Sequence, residues 1–226
     1  MANQYKKNQP PQTVRYQKQM INIKDQEELL RLIADYIEED LSCIAIGGTA
    51  MMFSGYKTTT KDIDLVFKDS KDREIFIKAI IKLGYKEKSL VNVYDEKRIE
   101  QKNKPKMFSR GDERFDLFVK DIFGFEINQN IVQQEDFLGN KELNVKIIGK
   151  DDLILLKAVT SREKDFEDIE TIIKIEKIVN WDYITKEAIK QKDKWFMLDL
   201  EETMHKLKKI TLIQERYFKI LHNNLK

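Results

Sequence analysis

Cys43-Ile44-Ala45-Ile46-Gly47-Gly48-Thr49-Ala50-Met51-Met52-Phe53-Ser54-Gly55-Tyr56-Lys57-Thr58-Thr59-Thr60-Lys61-Asp62-Ile63-Asp64-Leu65-Val66-Phe67 is the stretch that decides the fold. A short apolar run breaks at two glycines, passes through an amphipathic piece and ends with two carboxylates alternating with apolar residues. The pattern predicts strand, glycine turn, helix, strand. Successive side chains of a strand point to opposite faces, so Asp62 and Asp64 stand on one side while Ile63 and Leu65 face the core. Two adjacent carboxylates repel, and an oxygen-rich pair at a sheet end suits a divalent cation such as magnesium or manganese. Gly47-Gly48 lets backbone N–H groups approach a phosphate, and a helix starting near Thr49 offers its positive end to the same anion. The plainer alternative is an ordinary turn followed by a solvated strand face.

Upstream, Asp25 and Glu28 have capping-box spacing, and Leu30, Ile33, Ala34 and Ile37 follow at helical intervals, predicting a helix over 26–39. Residues 1–20 are rich in Gln, Asn and Lys with Pro10-Pro11, the composition of a flexible polar tail. Downstream, Ser70 is placed to cap a helix whose buried face is Ile75, Phe76, Ala79, Ile80 and Leu83, closed by Gly84. A strand is expected around 85–93.

Residues 97–114 are basic and contain Pro105 and Gly111, as a loop or ragged hairpin would; its cations are either solvated or face a triphosphate or RNA backbone. In Arg114-Phe115-Asp116-Leu117-Phe118-Val119, Phe115 and Leu117 share a strand face and Asp116 takes the other. An acid at such a position needs a partner, because a lone buried carboxylate is costly.

Ile131–Ile148 carries a hairpin signal around Leu138-Gly139-Asn140-Lys141 and is expected at the sheet edge. A helix opens at Asp151-Asp152 with Lys157 embedded in its apolar run. Thr160 and Glu163 repeat the capping-box spacing before Phe166, Ile169, Ile172, Ile173 and Ile175. Beyond Trp181 the pattern is helical, with one helix over 183–192 and a long one over 195–221. That last apolar stripe has three potential partners, its own domain, a second copy in a homodimer or an antitoxin, and the sequence leaves them open.

With 41 basic against 39 acidic residues the net charge is +2, so charge alone makes no case for nucleic-acid binding. The single cysteine, Cys43, lies in the most apolar strand and the two histidines are far apart, which gives no zinc pattern. No apolar run has the length of a membrane span and no secretory signal core is visible, so a cytoplasmic protein is expected. The 226 residues suit a core over 21–149 followed by a helical C-terminal region over 150–226.

G-G-T-A-x-x-x-x-x-G-x-K-x-x-T-K-D-I-D-L resembles the signature of the DNA polymerase β-type nucleotidyltransferase superfamily, in particular its minimal prokaryotic branch that includes AbiEii-like toxins. The match fixes residue types over some twenty positions. One departure is Lys57, where many members carry Arg and so a bidentate phosphate grip. The resemblance implies an α/β (α+β) nucleotidyltransferase fold, a small mixed sheet flanked by helices with an α-helical C-terminal region. It implies metal ligands and catalytic acids at Asp62, Asp64 and Asp116, and nucleotide contacts at Gly47, Gly48, Thr49, Lys57 and Thr60. A second block, L-K-A-x-x-x-R-x-K-D-x-x-D-I, resembles the branch's lysine and R-x-K-D elements and adds Lys157, Arg162 and Asp165 as nucleotide-binding residues. Asp168 is left as an i,i+3 surface partner of Asp165. The implied cofactor is Mg2+ (or Mn2+), the substrate an NTP, and the acceptor hydroxyl that of RNA such as tRNA, of a protein or of a small molecule, with a toxin-antitoxin or phage-defence role. The competing expectation is a catalytically silent module that binds a nucleotide or a partner.

Overall fold

A computed structural model of the chain describes residues 21–89, 104–127, 142–160 and 162–225. The expected tail over 1–20, the residues 90–103 shared by the strand expected around 85–93 and the basic segment, and the turn around 138–141 lie outside the described residues.

Helix α1 (Ile23–Ala34) and helix α3 (Ser70–Lys82) lie on one face of a mixed sheet. Its six principal strands run in the order β10 (Leu143–Ile147), β2 (Leu41–Ala45), β4 (Ile63–Phe67), β7 (Glu113–Val119), β6 (Lys106–Arg110) and β5 (Lys86–Lys88). Strands β1 (Ile21–Asn22) and β3 (Thr59–Thr60) form a separate pair, and β8 (Asp121–Ile122) and β9 (Phe125–Glu126) make a small hairpin on the end of β7. β10 is an edge strand, as expected, and runs parallel to β2. Alternation splits the sheet cleanly. Ile63, Leu65, Phe67, Phe115 and Leu117 pack with Leu30, Ile33, Phe76 and Ile80 on the α1/α3 side. Val66 and Phe118 join the other core, beneath helices α4 (Lys150–Thr160), α5 (Glu163–Glu176), α6 (Trp181–Lys190), α7 (Lys194–Leu207) and α8 (Glu215–Asn224). The architecture is therefore the expected small mixed sheet between helices.

Several local expectations shift. The capping box of α1 is made by Asn22 and Asp25, one turn earlier than predicted, and Asp69, not Ser70, caps α3 by accepting from the Asp72 N–H. Thr160 ends α4 instead of capping α5, whose N-cap is Arg162. The single helix expected over 195–221 is two, broken at 208–214. A continuous helix of that length would reach about 40 Å and carry its second half off the domain. The break turns α8 back so that Ile213, Tyr217 and Leu221 join the core with Leu207. Ile210-Thr211, both β-branched, are weak helix formers at the point of fracture.

Candidate active site

The two acids that alternation puts opposite the α1/α3 face meet across a strand pair. β4 and β7 run parallel with Asp64 and Asp116 as direct register partners, between Ile63↔Phe115 and Leu65↔Leu117. Asp62 stands just before β4, and the guanidinium of Arg114 joins it to the third acid: one Arg114 nitrogen, Nη2, donates to Asp62 Oδ2 at 2.5 Å and to Asp116 Oδ2 at 3.1 Å. Asp116 is 2% exposed and is paired with Arg114 beside the other two acids. Burial, then the neighbouring charges of Asp116 and Asp62, push the Asp64 carboxyl up to about 7.

Close packing requires glycine at both positions of the pair. Helix α2 (Gly47–Phe53) starts at Gly47, two residues before the expected Thr49. Gly47 has φ +56°, and a Cβ there would sit 2.5 Å from Asp64 Oδ2; a Cβ on Gly48 would collide with the Thr60 hydroxyl. Both residues line the cleft, where the first-turn N–H groups of a helix have no intrahelical acceptor. Thr49 does not line it. Its side chain is fully buried and its hydroxyl accepts from the Asp64 N–H (3.2 Å) and donates to the Asp62 carbonyl (3.4 Å), so it fixes the acid-bearing strand. Thr60 donates to the same carbonyl at 3.2 Å.

Across a cleft of about 430 Å³, the opposite wall comes from α4 and α5. Lys157, 6% exposed, donates to Asp165 (3.1 Å) and Asp168 (2.6 Å). Lys57 reaches Asp168 at 2.5 Å, while Thr160 and Arg162 bind Asp165. Burial raises the proton affinity of Asp165, but Arg162, Lys157 and Thr160 outweigh it and hold the carboxyl below its ordinary range. Burial lowers that of Lys57 against the opposing pull of Asp168. Asp168 is thus no surface partner: it is 5% exposed and ties both lysines together. Asp165 is likewise engaged by cations, as a buttress of Lys157 and Arg162. Within this network Lys57, Lys157 and Arg162 meet two carboxylates, Asp165 and Asp168, so the cations are in excess.

The described part of the basic segment forms the β6–β7 hairpin. Lys106 pairs with Glu74 and Arg110 with Glu113, and from this hairpin Arg114 and Asp116 supply the charges that line the cleft.

No protein-family model matches the chain, and no curated protein matches it. Solved structures similar to it include nucleotidyltransferases. They include the antibiotic-resistance factor ANT(2'')-Ia, with 15% identity over 73% of this chain and 89% of that one at a TM-score of 0.49. A Helicobacter pylori protein assigned as a nucleotidyltransferase matches at 14% identity over 89% and 92%, with a TM-score of 0.45. The Mycobacterium tuberculosis nucleotidyltransferase toxin MenT4 matches at 11% identity over 78% and 62%, with a TM-score of 0.41.

The donor set can be tested against a divalent cation directly. Asp62 Oδ1 is buried and has no hydrogen-bond partner among the described residues, an expensive state for a carboxylate oxygen unless a cation meets it. All three side chains offer hard oxygen donors, the choice of magnesium or manganese. Among the described residues no three such groups stand in a ready-made ligand cage, and Arg114 clamps Asp62 and Asp116. Charge and donor type fit the ion, and the guanidinium is its competitor. Among the described residues no helix is long and apolar enough to cross a membrane.

Proposed function

We propose that this protein is a nucleotidyltransferase, moving a nucleoside monophosphate from an NTP to an acceptor hydroxyl. The observation that carries the proposal is the register pairing of Asp64 with Asp116, joined by Asp62, beside Gly47-Gly48 and facing Lys157. Asp62, Asp64 and Asp116 would hold magnesium or manganese, which when bound supplies Lewis-acid activation of the acceptor and charge stabilisation of the α-phosphate. Asp116 takes the proton of the acceptor hydroxyl. The acceptor oxygen bonds to the α-phosphorus as the bond to pyrophosphate breaks. Gly47 and Gly48 offer N–H groups to the leaving phosphates, and the surplus positive charge of the Lys57, Lys157 and Arg162 wall offsets their charge.

The cleft mouth favours a polyanionic acceptor. Lys61 and Lys164 line it and are exposed, with Arg162 beside them, so RNA is drawn in and a cationic small molecule such as an aminoglycoside is repelled. The test is incubation with each α-labelled NTP, magnesium and total cellular RNA or protein. Transfer into RNA, lost in Asp62→Ala and on chelation, supports the proposal; no transfer by the wild type to any acceptor counts against it. A place in a toxin-antitoxin or phage-defence system is part of the same proposal and predicts growth arrest on expression that Asp62→Ala abolishes.

The Arg114 bridge favours a second reading, a silent nucleotide-binding module in which the guanidinium stands permanently where a cation would sit. It predicts NTP binding that is indifferent to magnesium and no transfer.

A further inference from the structure

The cleft is lined by two unlike kinds of residue. The acids, the glycines and Lys157 are polar or small, and Ile46, Phe118, Ile122, Phe123, Leu153 and Leu156 add apolar surface. A phosphate or ionised group loses hydration against such a wall and gains nothing from it. A flat heteroaromatic ring keeps its dispersion contacts there and stacks on an aromatic side chain.

Among those six residues Phe123 alone is partly exposed; the others are buried. It occupies the tip of the β8–β9 hairpin, a two-residue turn in which Phe123 has φ +53° and Gly124 φ +89°. Positive φ at both central positions selects asparagine or glycine first, and a bulky aromatic there is strained. The surroundings hold the strain in place. Asp121 Oδ1 accepts from the Gly124 N–H at 3.0 Å. The Gln191 amide binds both backbone groups of Glu126, at 2.9 and 3.1 Å. Phe125 packs edge-on against Phe196 at 5.5 Å, and Phe123 meets Phe118 at 5.7 Å and 86°. Backbone strain survives only where neighbours over-determine it, and it concentrates at ligand clamps. An asparagine would close this turn at lower energy, so the aromatic ring at the cleft is what the strained position retains.

We infer that Phe123 is the platform on which the nucleobase of the NTP stacks, with the triphosphate lying towards Gly47, Gly48 and Lys157. The inference rests on the cleft being an NTP site and adds the residue that holds the base. It is a binding role, separable from metal chemistry.

The experiment measures affinity for ATP and for inorganic tripolyphosphate by calorimetry in magnesium buffer, without any acceptor. Phe123→Leu should weaken ATP about tenfold and leave tripolyphosphate unchanged, while Phe123→Tyr keeps both. Unchanged ATP affinity in Phe123→Leu overturns the inference, and so does an equal loss for both ligands, which would mark a structural role. If Phe123→Leu does not fold, Phe123→Trp supplies the readout: its added fluorescence should be quenched by ATP and not by tripolyphosphate, and equal response to both overturns the inference. A wild type that binds neither ligand defeats the nucleotidyltransferase proposal itself, a result distinct from either of these.

Discussion

Replacing Gly47 by alanine separates two costs that a single residue carries. The first is conformational: with φ +56° an L side chain sits in the left-handed region, at about 1–2 kcal/mol. For a chain of this size that lowers the melting temperature by roughly 2–8 °C. The second is positional. The new Cβ would lie 2.5 Å from Asp64 Oδ2, where ordinary contact begins near 3.4 Å, so the carboxylate must retreat by about 1 Å. A displacement of that size at a reacting centre costs on the order of 100-fold in rate. Gly55→Ala is the matched control, because Gly55 also has positive φ (+78°) but nothing lies within 4 Å of its Cβ position. Thermal melts should show similar losses in the two variants. Transfer from α-labelled NTP should fall about 100-fold in Gly47→Ala and by less than about threefold in Gly55→Ala. Equal activity in the two variants would refute the claim that Gly47 exists to make room for Asp64.

Three further outcomes follow from the same geometry. Lys157→Met leaves Asp165 and Asp168 buried with fewer partners, and urea denaturation should show a loss of about 2–4 kcal/mol; a loss under 1 kcal/mol would mean that Arg162 and Lys57 suffice. Arg114→Met removes the clamp on Asp62 and Asp116, so the metal-free melting temperature should fall and its rise on adding magnesium should exceed that of the wild type; an unchanged magnesium response would show that guanidinium and cation do not compete. Burial, only partly offset by the hydrogen bond from Tyr183, pushes Asp152 up to about 6 against about 4 when unfolded. Its contribution to stability is fully present below about pH 4 and is lost as pH rises through 6, so Asp152→Asn should flatten that part of the stability profile by on the order of 1–2 kcal/mol. An identical slope in the variant would contradict the assignment.

The acid cluster was legible because strand alternation is a strict period: Asp64 lies between Ile63 and Leu65, Asp116 lies between Phe115 and Leu117, Asp62 falls two residues before Asp64 on the same face, and two glycines stand just upstream of the first pair. The sheet between helices followed from the same periodicities. What stayed hidden depends on contacts between distant segments. Arg114 and Asp116 share a strand face by their spacing, yet nothing local shows that the arginine also spans to Asp62. Asp168 reads as one helical turn from Asp165 on a charged helix start, and only the packing of α5 on α4 and on the loop carrying Lys57 buries it. Thr49 sits inside the motif but turns inward, since a small helix at a strand end has one side against the sheet. Phe123-Gly124 could be recognised as a turn by its glycine, but the aromatic partner at positive φ runs against turn preference and gives no sequence signal of a binding wall. The break at 208–214 falls inside an unbroken apolar stripe, because the stripe reports which residues are buried and not whether the helix carrying them is continuous.

Manganese titration by calorimetry, with the metal-free protein and no NTP in the cell, addresses the central claim most directly. Saturable binding in the wild type, abolished in Asp64→Asn and in Asp116→Asn while both variants keep a cooperative melt, is the predicted result. Equal manganese affinity in those variants, or none in the wild type, would contradict a shared cation site between β4 and β7.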